Sequence, residues 1–99
     1  MAPKLLDPDA LRTALAGLPS WELAGDRLRR TYTFRDFVEA FAFMTAAALR
    51  IQEMDHHPNW SNVYNSVRIE LWTHDAGGVT QRDVDLAGRL EALAARWNR

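Results

Sequence analysis

A chain of 99 residues gives one domain, expected to run over 1–99, and 47% hydrophobic residues with four tryptophans exclude a disordered chain. Twelve Lys and Arg against thirteen Asp and Glu leave a formal net charge of -1, which gives no general attraction to nucleic acid or to an anionic membrane. There is no cysteine, so neither a disulfide nor a thiolate-held metal is available, and with no leader-like or bilayer-length apolar run the expected location is the cytoplasm.

Asp7 followed by Pro8 is a helix start, and Leu11, Leu15 and Leu18 recur at helical spacing until Gly17 and Pro19, which predicts a helix over 8–16. From Ser20 to Phe34 the period changes. Trp21 and Leu23 alternate, Ala24-Gly25-Asp26 turns the chain, and Leu28, Tyr32 and Phe34 return on one face, which predicts a hairpin with a core side and a wet side. Arg30 breaks the apolar face, and an edge position with a snorkelling side chain accounts for it.

Residues 35–54 carry Phe37, Phe41, Met44, Ala48 and Ile51 at spacings of three and four, the stripe expected to face the core. Phe43, Ala46, Ala47 and Leu49 widen the apolar coverage beyond what one sheet face requires, so part of this helix is expected to meet another helix or a second subunit. Pro58 ends the element and restricts His57 to extended backbone. A strand at Asn59–Ser61, extendable to Val63, a turn at Tyr64-Asn65 and a strand with Val67, Ile69, Leu71 and Thr73 on its core side make a second hairpin. On that alternation His74 leaves the strand on the solvent side, with Trp72, before the Asp75–Gly78 turn. Thr80 with Asp83 is a capping-box-like start for a last helix, whose stripe is Leu86, Leu90, Leu93 and Trp97.

The expected architecture is α+β: a two-layer domain with a four-stranded antiparallel sheet, three helices on one face, and the order α-β-β-α-β-β-α. Trp72 on the non-core side and the broad apolar central helix predict self-association, with a two-fold dimer as the first choice. All three histidines lie in the stretch from Asp55-His56-His57-Pro58-Asn59-Trp60 to Thr73-His74-Asp75. Imidazole is the side chain that titrates nearest neutrality, so their gathering points to proton transfer. Adjacent residues in extended backbone diverge, so His56 and His57 are expected to have different roles.

The runs His56-His57-Pro58-Asn59-Trp60, Asn62-Val63-Tyr64-Asn65-Ser66-Val67 and Leu71-Trp72-Thr73-His74-Asp75-Ala76-Gly77-Gly78-Val79-Thr80, followed by Asp83 and Leu86-Ala87, resemble the pterin-4a-carbinolamine dehydratases. The resemblance is dense from Phe34 to the C-terminus and weaker before it. It implies a homodimer or homotetramer that dehydrates 4a-hydroxytetrahydropterin to quinonoid dihydropterin without a metal or organic cofactor, beside pterin-dependent aromatic amino acid hydroxylases. The family's histidine pair falls on His56 and His57, its later histidine on His74, its proline and aromatic near the pterin on Pro58 and Trp60, and its helix-start acid on Asp83. Thr73 and Asp75, which flank His74, join Pro58, Trp60 and Asp83 as expected substrate-binding residues. Where family members often carry a glutamate four residues before the first histidine, this chain has Gln52 with Glu53 beside it.

Loss of the 4a-hydroxyl needs a proton for the departing oxygen and a base for a ring N–H, with His56 and His74 expected to move protons and His57 to position the substrate. Two other readings compete. Asp55, Asp75 and Asp83 with the histidines could suggest zinc or iron, but the histidine pair diverges and has no helical i,i+4 chelating geometry, so no metal is expected. The second is a non-enzymatic protein-interaction or dimerisation module built on the central helix and Trp72.

Overall fold

The computed structural model describes residues 3–97. Its elements are α1 (Pro8–Ala16), β1 (Glu22–Ala24), β2 (Arg27–Thr33), α2 (Phe37–Met54), β3 (Asn59–Val63), β4 (Ser66–Leu71), a 3-10 turn at His74–Ala76, and α3 (Gln81–Ala94). This is the expected order α-β-β-α-β-β-α. The strands form one antiparallel sheet in the order β1-β2-β4-β3, so the two hairpins join through β2 and β4. Each α-helix begins where a short polar side chain takes over an orphan backbone donor. Asp7 accepts from the Ala10 N–H at 2.8 Å and Asp36 from the Glu39 N–H at 2.9 Å, while Thr80 and Asp83 form a complete capping box.

The core lies between the sheet and the helices. Leu28, Tyr32, Val67, Ile69 and Leu71 on the sheet meet Ala40, Phe43, Ala47 and Ile51 of α2 and Leu86, Ala87, Leu90 and Ala94 of α3. Leu6, Leu11 and Leu15 pack against the same cluster, which brings α1 to the helical side. Trp97 stands edge-on to Phe34 and Phe43, closing the far end of the core.

The buried stripe of α2 differs from the one its largest side chains suggest. Phe37 is 46% and Phe41 55% exposed, whereas Ala40, Phe43, Ala47 and Ile51 are buried. Both stripes have helical spacing, and the one with two alanines lets the helix backbone come close to the sheet and to α3. Phe37, Val38, Phe41 and Leu49 therefore form an exposed apolar strip along α2. Leu23 is a second departure: it pairs with the buried Leu28 yet is 44% exposed, on a three-residue strand at the edge of the sheet.

Arg30 sits on the core face opposite Ile69. β2 is an inner strand, but its pairing with β1 ends at the Glu22–Arg29 pair, so among the described residues Arg30 to Thr33 have no strand partner on that side. Arg30 lies over the Tyr32 ring at 4.3 Å and extends toward Glu91, 3.8 Å away, which is the snorkelling expected of it. Among the described residues no helix is long and apolar enough to cross a membrane.

Candidate active site

The ends of three elements meet at one end of the sheet: the C-terminus of α2, the exit of β4 and the first turn of α3. The histidine pair is delivered by the first. At the end of α2 the Asp55 N–H donates to the Gln52 carbonyl at 3.2 Å and the His56 N–H to the Ile51 carbonyl at 3.3 Å. That is the Schellman pattern, with Asp55 in the left-handed position at φ 48° where glycine is usual. The reversal turns His56 inward, where it is 7% exposed, while His57 on the following extended backbone stays at the surface. The expected divergence of the pair is present.

His56 meets Asp83. Its Nε2 lies 2.5 Å from Asp83 Oδ1, and Asp83 is fully buried. The other carboxylate oxygen accepts the Thr80 N–H at 2.8 Å and the Thr73 hydroxyl at 2.8 Å. A hydroxyl has one proton to give. With that of Thr73 directed to Asp83, the 2.7 Å contact between Thr73 and Thr80 must be a donation from Thr80, whose oxygen in turn accepts the Arg82 N–H at 3.2 Å. Donors thus converge on Asp83 from three elements, and an acceptor-only carboxylate fixes Nε2 as the protonated nitrogen of His56. Nδ1 is left uncommitted by this contact. Asp83 therefore caps α3 and orients an imidazole with the same side chain.

The exit of β4 supplies His74. Thr73 bridges to Gly78, its N–H donating to the Gly78 carbonyl at 2.8 Å, and Gly77 closes the turn at φ 73°. His74 opens the 3-10 turn beyond the end of β4, where it is exposed and borders the same cleft. A cleft of about 260 Å³ is lined by all three histidines with Asp55, Trp72, Thr73, Asp75 and Arg82.

Pro58 and Trp60 do not line that cleft. They border an adjoining depression of about 270 Å³ with Ala48, Ile51 and Gln52, and His57 is the residue common to both. Asp83 has no exposed surface and all its contacts are internal, so it bears on the cleft through His56 and Thr73. Gln52 faces the second depression, and Glu53 pairs with Arg50 at 3.2 Å and Arg89 at 3.9 Å, so the acid beside His56 comes from α3 and not from α2. Among the described residues no three His, Asp or Glu side chains are grouped closely enough to hold a metal ion.

Three residues that line the cleft stand outside the expected site: Asp55, Arg82 and Trp72. Arg82 donates to the carbonyls of Asp55 at 3.1 Å and Met54 at 3.4 Å, holding the α2 terminus that carries His56. A signal existed in the sequence, since a cation in the first turn of α3 opposes that helix's own dipole, and here it is spent on the negative end of α2. Strand alternation puts Trp72 on the side expected to serve self-association. It lines the cleft, stacked on His74 with ring centres 4.6 Å apart and the Arg27 guanidinium 3.8 Å over its ring centre.

A family model described as pterin 4 alpha carbinolamine dehydratase matches residues 4–93. A protein of Afipia carboxidovorans with a provisional pterin-4-alpha-carbinolamine dehydratase name is 54% identical over 95 residues, covering 94% of this chain and 95% of its own length. The crystal structure of a transcriptional coactivator/pterin dehydratase from Brucella melitensis superposes with a TM-score of 0.87 at 38% identity, over 90% of this chain and 97% of that one. A pterin dehydratase-like protein identified as a RuBisCO assembly factor in the alpha-carboxysome is similar at 27% identity and a TM-score of 0.68, over 76% of this chain and 89% of its own.

Proposed function

The chain belongs to the pterin-4-alpha-carbinolamine dehydratase family, and from that premise we propose that it dehydrates 4a-hydroxytetrahydropterin to quinonoid dihydropterin and water by histidine general acid–base catalysis. The observation that carries this reading is the single cleft shared by His56, His57 and His74, with His56 oriented by a buried carboxylate. In the reaction the C4a–O bond breaks, the departing oxygen takes a proton and leaves as water, and a ring-nitrogen lone pair forms the new C=N bond. The N–H proton of that nitrogen passes to a base. Exposed His74 and the uncommitted Nδ1 of His56 are the two proton-handling positions; His57, with Thr73 and Asp75 of the same cleft, positions the substrate. Pro58 and Trp60, across His57, offer an apolar wall for a planar ring system or its side chain. Asp83 acts on the substrate through His56.

No metal or organic cofactor is assigned to this reaction. The protein is proposed to work in the cytoplasm as a homodimer or homotetramer, supporting tetrahydropterin recycling beside a pterin-dependent aromatic amino acid hydroxylase. The exposed strip Phe37, Val38, Phe41 and Leu49 supports self-association. That strip and the likeness to an assembly factor also favour a second reading, a protein-interaction module without turnover.

Because the carbinolamine also dehydrates spontaneously, the test is the excess of quinonoid dihydropterin formed over the buffer blank. Wild type should show it, and each of His56→Ala and His74→Ala should lower it by about 10–10⁴-fold with the fold intact. No excess with authentic substrate defeats the enzyme reading in favour of the module. Full excess in the double variant, with chemistry limiting, defeats the assignment of the histidines.

A further inference from the structure

Trp72 is the first residue beyond β4, and both faces of its indole are covered from within the chain. On one face lies the His74 ring, 4.6 Å between centres and tilted by 25°. The Arg27 guanidinium lies 3.8 Å from the ring centre, and two groups this near one ring have no room on a single face, so it takes the other. Arg27 is itself fixed by two carboxylates, its Nη1 donating to Glu70 at 3.2 Å and its Nε to Asp26 at 3.2 Å. The layers run carboxylates, guanidinium, indole, imidazole, and the imidazole borders the cleft.

The two histidines at the cleft are held by different means. His56 is buried and tied by a hydrogen bond to Asp83. His74 is exposed on a three-residue 3-10 turn whose backbone is closed by the Ala76 and Gly77 amides on the Thr73 carbonyl. Closing the backbone leaves χ1 and χ2 free, and an exposed imidazole would spread over several rotamers. A broad aromatic face beside it selects one of them, as offset stacking does for planar side chains. The cation over the far face keeps the indole from turning away.

We propose that Trp72, backed by Arg27, is a positioning residue that holds the His74 imidazole in the cleft. The inference rests on the dehydratase reading for its kinetic consequence, and on the stack alone for its structural one.

The test pairs a ring signal with kinetics. At one fixed pH, the His74 ring protons of the wild type should resonate upfield of those of His57, displaced by the indole ring current, and Trp72→Leu should abolish the displacement. Trp72→Leu should lower kcat by about tenfold, the scale of a misaligned reacting group, while KM stays within about twofold, because the loss is not in uniform binding. Trp72→Phe, which keeps an aromatic face, should recover most of the rate. In a His74→Ala background, Trp72→Leu should cost nothing further. Wild-type His74 signals without upfield displacement, or signals unchanged in Trp72→Leu, would overturn the proposal, and so would a rate loss that persists without His74. Arg27→Leu supplies a second variant on the far side of the stack: it should reduce the displacement, and an unchanged signal removes Arg27 from the proposal's support and overturns its backing role. Absence of wild-type dehydration over the blank is a separate result. It defeats the dehydratase reading, while an indole-dependent displacement of the His74 signals would still support the positioning of its ring.

Discussion

The Nε2 of His56 lies 2.5 Å from Oδ1 of the fully buried Asp83, whose other oxygen takes donors from Thr73 and Thr80. Every contact to this carboxylate is a donation, so an amide of the same shape cannot replace it. In Asp83→Asn, an NH2 group must face either His56 or the two threonines, and in the first case the imidazole has to present an unprotonated nitrogen. The expected result is a fall in kcat of about 10²–10⁴-fold, by analogy with other carboxylate-oriented histidines. Thermal unfolding should show a loss of about 1–3 kcal/mol from the mispaired donors. A kcat within error of wild type beside that loss would reduce Asp83 to a helix cap.

Arg82 and Asp83 are consecutive, and together they grip the α2 terminus, Arg82 by the carbonyls of Met54 and Asp55 and Asp83 by His56. Arg82→Met keeps the stem and removes the donors. It should cost about 1 kcal/mol, or roughly 4–8 °C in melting temperature for a domain this small. Arg82→Lys should recover part of this, since an ammonium keeps the charge without the planar fork. Amide hydrogen exchange at Asp55 and His56 should quicken in Arg82→Met, and unchanged protection there would show that the Schellman turn holds without the clamp.

The elements, their order and the pairing into two hairpins were legible because each is set by local signals: Asp7-Pro8, the Gly25 turn, Pro58 and the Thr80-Asp83 box act within a few residues of themselves. The buried face of α2 was not, since two stripes had helical spacing and only packing chooses between Phe41 and Phe43. The histidines were legible as a set because each stands at the end of an element. Their division was less so. The contact of His56 with Asp83 spans 27 residues, and the split of His57, Pro58 and Trp60 over two depressions depends on how β3 leaves α2. Trp72 was read by strand parity alone, which gives the side of the sheet and not the neighbour that covers it.

Far from the cleft, the Tyr32 hydroxyl donates to Glu91 at 2.6 Å and Trp21 Nε1 donates to the same oxygen at 3.1 Å. Burial, and then the carboxylate of Glu91, push Tyr32 well above its ordinary value of 10.0. A raised value in the folded state means that the folded chain holds the proton more tightly than the unfolded one. Its contribution to stability is complete below 10.0 and is lost as pH rises beyond it. Melting temperature should therefore fall more steeply above about pH 10 in wild type than in Tyr32→Phe. At neutral pH that variant should be less stable by about 1–2 kcal/mol, having left Glu91 short of a donor. Parallel pH profiles for the two proteins would mean that Tyr32 ionises without opening the core.

His57 is the residue shared by the histidine cleft and the depression walled by Pro58 and Trp60. It is exposed, its backbone is held extended by Pro58, and the inward turn at Asp55 gives the buried position to His56. A side chain on the ridge between two depressions is placed to bind a substrate that spans both, and a bicyclic ring with a substituent has that shape. His57→Ala should then raise KM by about 5–50-fold with kcat lowered less, the pattern of an interaction made equally in ground and transition states. Trp60 gives an independent readout. It borders the second depression, so a pterin that spans the ridge should change its fluorescence, and a Trp21→Phe, Trp72→Phe, Trp97→Phe background isolates that signal. In the same background His57→Ala should shift the fluorescence titration to higher pterin concentration in step with KM. A kcat loss larger than the KM change would move His57 from binding to proton transfer, and a Trp60 signal unmoved by pterin would confine the substrate to the histidine cleft.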